Sequence, residues 1–225
     1  MATGFTIGDG YAMYRGPVGD SAPHRHAAFQ IAVGVGGDVA VRDGAGTVHR
    51  GAALVVAPMV AHRLLAADDV LTYFVEPQSA FADRLRRTYT RGIVVAPDLV
   101  AVPEGDVGPA SVRPSGQLDP RLARALRTLL ERNVAMPALA AEVGLSTQRL
   151  RALAREQAGM PLPRWRLWVR LRRAAAALQA GRSPAGAAAA AGFADQAHLT
   201  RAMRDMMGLT PAAVVPVLRR SRSSR

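Results

Sequence analysis

The sequence predicts an α+β protein: a small β-barrel or sandwich in the first half, then an all-α half that carries a helix-turn-helix twice. Three observations predict it. Short apolar runs broken by turn residues fill the first half, helical apolar periodicity fills the second, and the positive charge is concentrated in the second. The chain has 225 residues, 29 basic and 17 acidic side chains and a formal net charge of +12, and every basic residue is arginine. Residues 1–112 hold 9 Arg against 11 acids, a net of −2, whereas residues 113–225 hold 20 Arg against 6 acids, a net of +14. Such a split implies two units with different partners, the basic one suited to a polyanion. The length fits one large domain or two small ones, and 49% apolar content is too high for a wholly disordered chain.

Composition also excludes several chemistries. With no cysteine there is no disulfide scaffold, thiolate zinc finger or cysteine nucleophile. No stretch approaches the roughly 18 uncharged apolar residues of a membrane span, so no membrane partner is expected. Met1–Gly10 lacks the basic and apolar segments of a secretory leader, so the expected compartment is the cytoplasm.

In the first half, strands are expected at Tyr11–Tyr14, Ala28–Val35, Val39–Arg42, Ala53–Ala57 and Val70–Val75. Gly36-Gly37, Asp43-Gly44 and Pro58 mark the turns between them. A helix is expected over Ala80–Arg91, and the Pro-, Gly-, Ser- and Asp-rich segment from Pro97 to Gln117 reads as a linker with little structure of its own. The expected division is a sensor-like unit at 1–79, helix and linker at 80–118, and a helical unit at 119–218.

In the second half, Asp119-Pro120 is an N-cap followed by proline at the first helical position, and Leu122, Leu126, Leu129 and Leu130 form one stripe. A short helix over Pro137–Val143 leads through Gly144-Leu145-Ser146 into a helix from Thr147 to Gln157. A longer helix covers Pro163–Ala180, with Trp168, Leu171, Ala175 and Leu178 on one face and Arg166, Arg170 and Arg173 on another. The short-helix, turn, helix pattern then recurs over Pro184–Ala191, Gly192-Phe193-Ala194 and Asp195–Met207, and Ser221–Arg225 reads as a disordered tail.

A helix-turn-helix needs a small residue for close packing, a turn glycine and a cap; Ala140, Gly144 and Ser146 supply them. Leu150 and Leu153 would then face inward, and Thr147, Gln148, Arg149, Arg151 and Arg155 outward. Gln and Arg suit adenine and guanine edges. A helical hairpin with a solvated arginine face would look the same in one copy; two copies and the charge favour nucleic acid.

The stretch Ala190-Ala191-Gly192-Phe193-Ala194-Asp195-Gln196-Ala197-His198-Leu199-Thr200-Arg201, closed by Gly208-Leu209-Thr210-Pro211, resembles the second helix-turn-helix of the AraC/XylS transcription regulators. Leu145-Ser146, Leu150 and Gly159 resemble the first, and the run from Trp168 through Arg170, Leu171, Arg172 and Arg173 resembles the joining helix. The resemblance covers about residues 119–215. It implies that helices 147–157 and 195–207 enter successive major grooves of double-stranded DNA. By motif position the base-edge candidates are Gln148, Arg149 and Arg151, with Thr147 beside them, and Gln196, His198, Thr200 and Arg201. Arg155, Arg170 and Arg204 are candidate phosphate contacts. Ala194 departs from the usual serine cap, leaving Asp195 to cap, and Leu199 and Met203 replace frequent phenylalanines.

His24 and His26 share strand parity with Gln30, and His62 follows after another strand. This layout resembles the cupin superfamily, with Gln30 in place of the acid and Ala57 and Met59 where Pro and Gly are common. Three imidazoles and a carboxamide oxygen suit a divalent first-row metal; the same histidines could equally line or plug a small barrel. His49, beside Arg50, reads as solvated. Either a divalent metal or a small-molecule effector would occupy the N-terminal barrel.

The expected function is therefore a cytoplasmic, bacterial, non-enzymatic, ligand-responsive DNA-binding transcription regulator. RNA polymerase is left open as a partner, and the chain as monomer or homodimer. The rival is a cupin metalloenzyme, an oxygenase or isomerase, with a basic helical tail. A third reading, nonspecific RNA binding, lacks aromatic stacking platforms, because Trp165 and Trp168 fall at helix-core spacing.

Overall fold

The computed structural model describes residues 3–89, 92–101, 107 and 112–220. Among them, the first half forms β1 (Gly4–Gly8), β2 (Tyr11–Val18), β3 (Phe29–Gly34), β4 (Val39–Asp43), β5 (Val48–Gly51), β6 (Ala53–Val56), β7 (His62–Leu64), β8 (Ala67–Val75) and β9 (Ile93–Val95). A six-stranded antiparallel sheet runs β1-β2-β8-β3-β6-β9, and β5-β4-β7 make a second, three-stranded sheet.

The continuous apolar run of β3 is explained by its central place, because both of its faces are covered. Phe29, Ile31 and Val33 pack with Tyr73, Val75, Phe81 and Leu85 on one side, the latter two from helix α1 (Ala80–Thr88). On the other side Ala32 meets Leu54 and Val56 and, from the small sheet, Val39 and Val41. Farther along that second face, Gln30 pairs with Phe74 and Val56 in register.

The second half forms α2 (Pro120–Glu131), α3 (Met136–Glu142), α4 (Thr147–Gln157), α5 (Leu162–Gln179), α6 (Pro184–Ala190), α7 (Gln196–Met207) and α8 (Pro211–Arg220). The Asp119 side chain caps α2 by accepting from the Arg121 amide at 2.9 Å. Trp165 is fully buried and its indole donates to the Leu126 carbonyl at 3.2 Å, tying α5 to α2.

Several sequence expectations change. Strands β1, β5, β7 and β9 were not expected, because each carries too few alternating apolar residues to signal itself. Helix α8 was not expected either; it contains Pro216, a residue that normally argues against a helix interior. The expected helix to Arg91 ends at Thr88, and Arg91 lies outside the described residues, as does the tail from Ser221. Described parts of the expected linker are ordered. Pro97–Leu99 form a 3-10 turn, Leu99 and Val107 are buried, the Ala80 amide donates to the Arg113 carbonyl, and the Asp83 carboxylate accepts from the Ser115 hydroxyl and the Gly116 amide. Proline and glycine marked where the chain turns; partners on α1 hold the turns in place.

The halves do not stand apart. Ala12 and Phe74 of the sheet, and Ala28 just ahead of β3, belong to the same buried cluster as Leu126, Leu150, Trp165, Trp168 and Leu178.

Candidate nucleic-acid interface and a buried histidine cluster

In the first helix-turn-helix, Gly144 adopts φ 67°, the left-handed conformation that glycine takes without steric cost, and this lets α4 leave α3 at a sharp angle. Ser146 caps α4 by accepting from the Arg149 amide at 3.1 Å. Leu150 and Leu153 are fully buried, which turns the opposite face outward: Gln148, Arg149, Arg151 and Arg155 are exposed and Thr147 is half-buried. Arg149 also reaches Glu156 at 3.5 Å across the exposed surface.

The second unit repeats the construction. Gly192 takes φ 76°, and Asp195 caps α7 by accepting from the His198 amide at 2.6 Å, the role expected of it in place of the serine. Leu199 and Met203 are buried, as replacements for phenylalanine should be. Gln196, Arg201 and Arg204 are exposed. His198 and Thr200 are half-buried and already engaged: the imidazole packs edge-on against Phe193 at 5.2 Å, and the Thr200 hydroxyl donates to the Gln196 carbonyl at 2.9 Å.

The joining helix corrects one expectation. Arg170 donates to the carbonyls of Ala191 and Gly192 and lies 4.0 Å over the Phe193 ring, so its guanidinium holds the second turn rather than standing free for phosphate. Arg173 donates to the carbonyls of Leu129 and Leu130, at the end of α2. Arg172 pairs with Glu76 at 2.5 Å across the two halves. Much of the arginine on α5 is therefore internal fastening, not a charge footprint. Glu76, assigned no role from sequence, is fully buried and also accepts from Trp168 Nε1 at 3.1 Å and Gln78 Nε2 at 2.7 Å. An acid between Val75 and Pro77 gives no periodic signal that it will face another half of the chain.

His24, His26 and His62 do come together, although not on one strand: His24 forms an isolated bridge with His62, and His26 lies in irregular backbone ahead of β3. His24 and His62 exchange backbone hydrogen bonds at 2.9 and 3.1 Å, and the Met59 amide donates to the His26 carbonyl. Met59 takes φ 65°, a left-handed conformation that explains why glycine would be common at this turn. One ring nitrogen from each histidine lies within 4.8 Å of the others, and all three side chains are buried. Burial, then the neighbouring histidines, pushes His26 down to about 4 and His62 down to about 2; burial also lowers His24. All three are neutral near pH 7. His49, expected to be solvated, instead contacts the Asp43 carboxylate at 3.0 Å from β5.

The cluster sits beside both a cavity and the second unit. A cavity of about 460 Å³ lies between the large sheet and helices α5, α7 and α8, lined by Phe5, Tyr14, Phe74, Leu171, Met203 and Val214 among others, with His24 and Gln30 on its wall. The Ala22 amide donates to the Gly208 carbonyl at 3.1 Å, and the Arg164 guanidinium joins the Arg25 carbonyl to the Asp205 carboxylate. The segment carrying His24 and His26 is thus fastened to the C-terminal end of α7.

Residues 139–215 match a family model described as a helix-turn-helix domain. No curated protein matches the chain. Among solved structures, ToxT from Vibrio cholerae O395 aligns over 93% of this chain and 98% of its own, at 10% identity and a TM-score of 0.61. ToxT of Vibrio cholerae strain SCE256 with an unsaturated fatty acid bound aligns over 93% and 96% of the two chains, at 10% identity and TM-score 0.60. At that identity the likeness shows the fold, here over both halves. No helix among the described residues is long and apolar enough to cross a membrane.

Proposed function

We propose that the protein is a DNA-binding transcription regulator of the AraC type, whose reading of DNA runs through the helix-turn-helix domain matched over residues 139–215. Helices α4 and α7 enter successive major grooves on one face of the duplex, about 34 Å apart, with α5 between them as spacer. Gln148, Arg149 and Arg151 on α4, and Gln196 and Arg201 on α7, reach base edges, with Thr147, His198 and Thr200 beside them; Arg155 and Arg204 contact phosphate. The single observation that carries this reading is the twice-built unit, in which a positive-φ glycine and an acid or hydroxyl cap turn a polar face outward over buried leucines. The units read from the sequence, 1–79 as sensor, 80–118 as connection and 119–218 as DNA-binding domain, serve this division of labour in the cytoplasm without catalysis.

The cavity between the halves is the effector site in this reading. Its wall is mostly apolar, with Tyr14, Thr72 and Arg172 as polar points, and it suits a small molecule with an apolar body and a polar head. The fatty acid bound to ToxT in a protein of the same fold supports that class. A ligand there touches the sheet, α5 and α7 together, so it favours whichever arrangement of the reading helices it fits. Selection of bound duplexes from a random pool tests the proposal. Recovery of one sequence with two half-sites about a helical turn apart is expected; failure to bind any duplex at low salt overturns it.

A further inference from the structure

The cavity between the halves has one polar corner, and its hydrogen bonds fix which groups face a ligand there. His24, His26 and His62 each set Nδ1 at 2.9 Å from a backbone carbonyl, of Ala22, Ala28 and Val60 respectively. A carbonyl only accepts, so in each neutral ring the proton sits on Nδ1 and Nε2 carries a lone pair. The Nε2 atoms of His26 and His62 stand 2.8 and 2.9 Å from Gln30 Oε1, acceptor against acceptor. Turning the carboxamide over resolves this conflict. Its NH2 then gives one hydrogen to each ring, and its oxygen takes the place of the nitrogen on the other side.

What this leaves open on the cavity wall is a set of acceptors. Gln30 and His24 both line the cavity, and both adjoin His62, whose ring centroid is 4.3 Å from that of His24. With the amide turned, neither the Gln30 oxygen nor His24 Nε2 has a hydrogen-bond partner among the described residues. Both side chains are more than nine-tenths buried, where an acceptor without a donor is costly. The Thr72 hydroxyl, from β8 on the same wall, is unpartnered as well. The neighbouring donors are already spent: the Tyr14 hydroxyl on the Pro17 carbonyl at 2.5 Å, and the Trp168 indole on Glu76.

The wall also offers no free charge. Among the described residues that line it, Arg172 alone is ionised, and its guanidinium is taken up by the buried Glu76 carboxylate and the Gly8 carbonyl. A carboxylate or an ammonium group entering this space would lose its water and gain no counter-charge. A carboxylate would in addition set its lone pairs against those of Gln30 and His24. An uncharged donor meets neither cost.

We propose that the effector is an uncharged, mostly apolar molecule held by hydroxyl hydrogens donated to the Gln30 oxygen and His24 Nε2, and that this corner rejects carboxylates. The inference rests on the cavity being the effector site, and it narrows the polar head to an alcohol or phenol. Specificity of this kind comes from buried polar atoms, which the wrong head group leaves unpaired.

The full chain is titrated by calorimetry and thermal shift at pH 7 with decanol, the vicinal decanediol, decyl methyl ether and decanoate, four probes sharing one apolar chain. Decanol is expected to bind about tenfold or more tighter than decanoate. It should also bind about fivefold or more tighter than the ether, which lacks the donated hydrogen, and the diol should bind at least as well as decanol. Gln30→Met should bring decanol and the ether to within about twofold of one another; the wild-type series decides the proposal by itself should that variant fold poorly. Ala175→Phe, which fills the cavity from α5, should weaken every probe about tenfold or more.

Decanoate binding as tightly as decanol in wild type, or decanol binding no tighter than its ether, overturns this inference and leaves the effector cavity standing. Saturation by none of the four probes, or affinities unchanged in Ala175→Phe, overturns the cavity as the effector site and this inference with it.

Discussion

The Glu76 carboxylate at the end of β8 accepts from the indole of Trp168 on α5 at 3.1 Å, and the same oxygen pairs with Arg172 one helical turn further on. A buried acid from the sheet is thereby neutralised wholly by the helical half, apart from Gln78 on its other oxygen. Around it Phe74, His26 and Trp168 pack ring to ring, at 5.4 to 6.4 Å between centroids.

Removing the acid should separate the halves. In Glu76→Ala the Arg172 guanidinium stays in place without its counter-charge, at a cost of about 3–5 kcal/mol. Trp168→Phe keeps the packing and removes one donor to a charged group, at about 1.5–3 kcal/mol. Calorimetry should show one unfolding transition in wild type and two in Glu76→Ala; a single transition at unchanged Tm would contradict a shared core.

The exposed polar residues should divide by what they touch. Gln196→Ala and Arg201→Ala are expected to relax sequence preference, with a loss of about 1–3 kcal/mol on the selected duplex and little on random DNA. Arg155→Ala and Arg204→Ala should weaken both equally and lower the slope of log affinity against log salt by about 1. Fluorescence anisotropy at four or five salt concentrations separates the two behaviours.

Arg170 should behave as neither. Its loss frees the Ala191 and Gly192 carbonyls and removes the cation over Phe193, so Arg170→Ala is expected to destabilise the fold by about 1–3 kcal/mol. In titrations kept well below its Tm, the salt slope should match wild type. A slope reduced by about 1 would return this residue to the phosphate contacts.

Two turn glycines with the same conformation should differ in sensitivity. Gly144→Ala meets open space and carries only the left-handed backbone penalty, about 1–2 kcal/mol. Gly208→Ala carries that penalty and drives a methyl into Ala22 and His24, so its Tm should fall further. Hydrogen exchange in Gly208→Ala should rise at Ala22 and Arg25, whose amides face the end of α7; equal Tm losses in the two variants would show that the contact is slack.

Much of the helical half was legible because its signals are local. Caps at Ser146 and Asp195, turn glycines at 144 and 192, and leucines at helical spacing each act within a few residues, and the helices they predict appear with ends shifted by one or two positions. The histidines were singled out on an assumed strand, but it is the irregular segment before β3 and the His24–His62 bridge that bring His26 and His62 within hydrogen-bonding reach of Gln30. The short strands β5 and β7 were not, since three- and four-residue strands draw their stability from neighbours distant in sequence.

The sequence by itself determined two helix-turn-helix units, a β-rich partner and a basic half, because periodicity, capping and charge are properties of adjacent residues. Only the tertiary structure decided how that charge is used and whether the halves act separately. Arg170, Arg172 and Arg173 look alike in sequence to Arg151 and Arg201, yet the first three are bound to carbonyls and to Glu76 while the latter two face solvent. Which arginine meets water and which meets a buried acceptor depends on surfaces brought together from opposite ends of the chain, and no local pattern encodes that meeting.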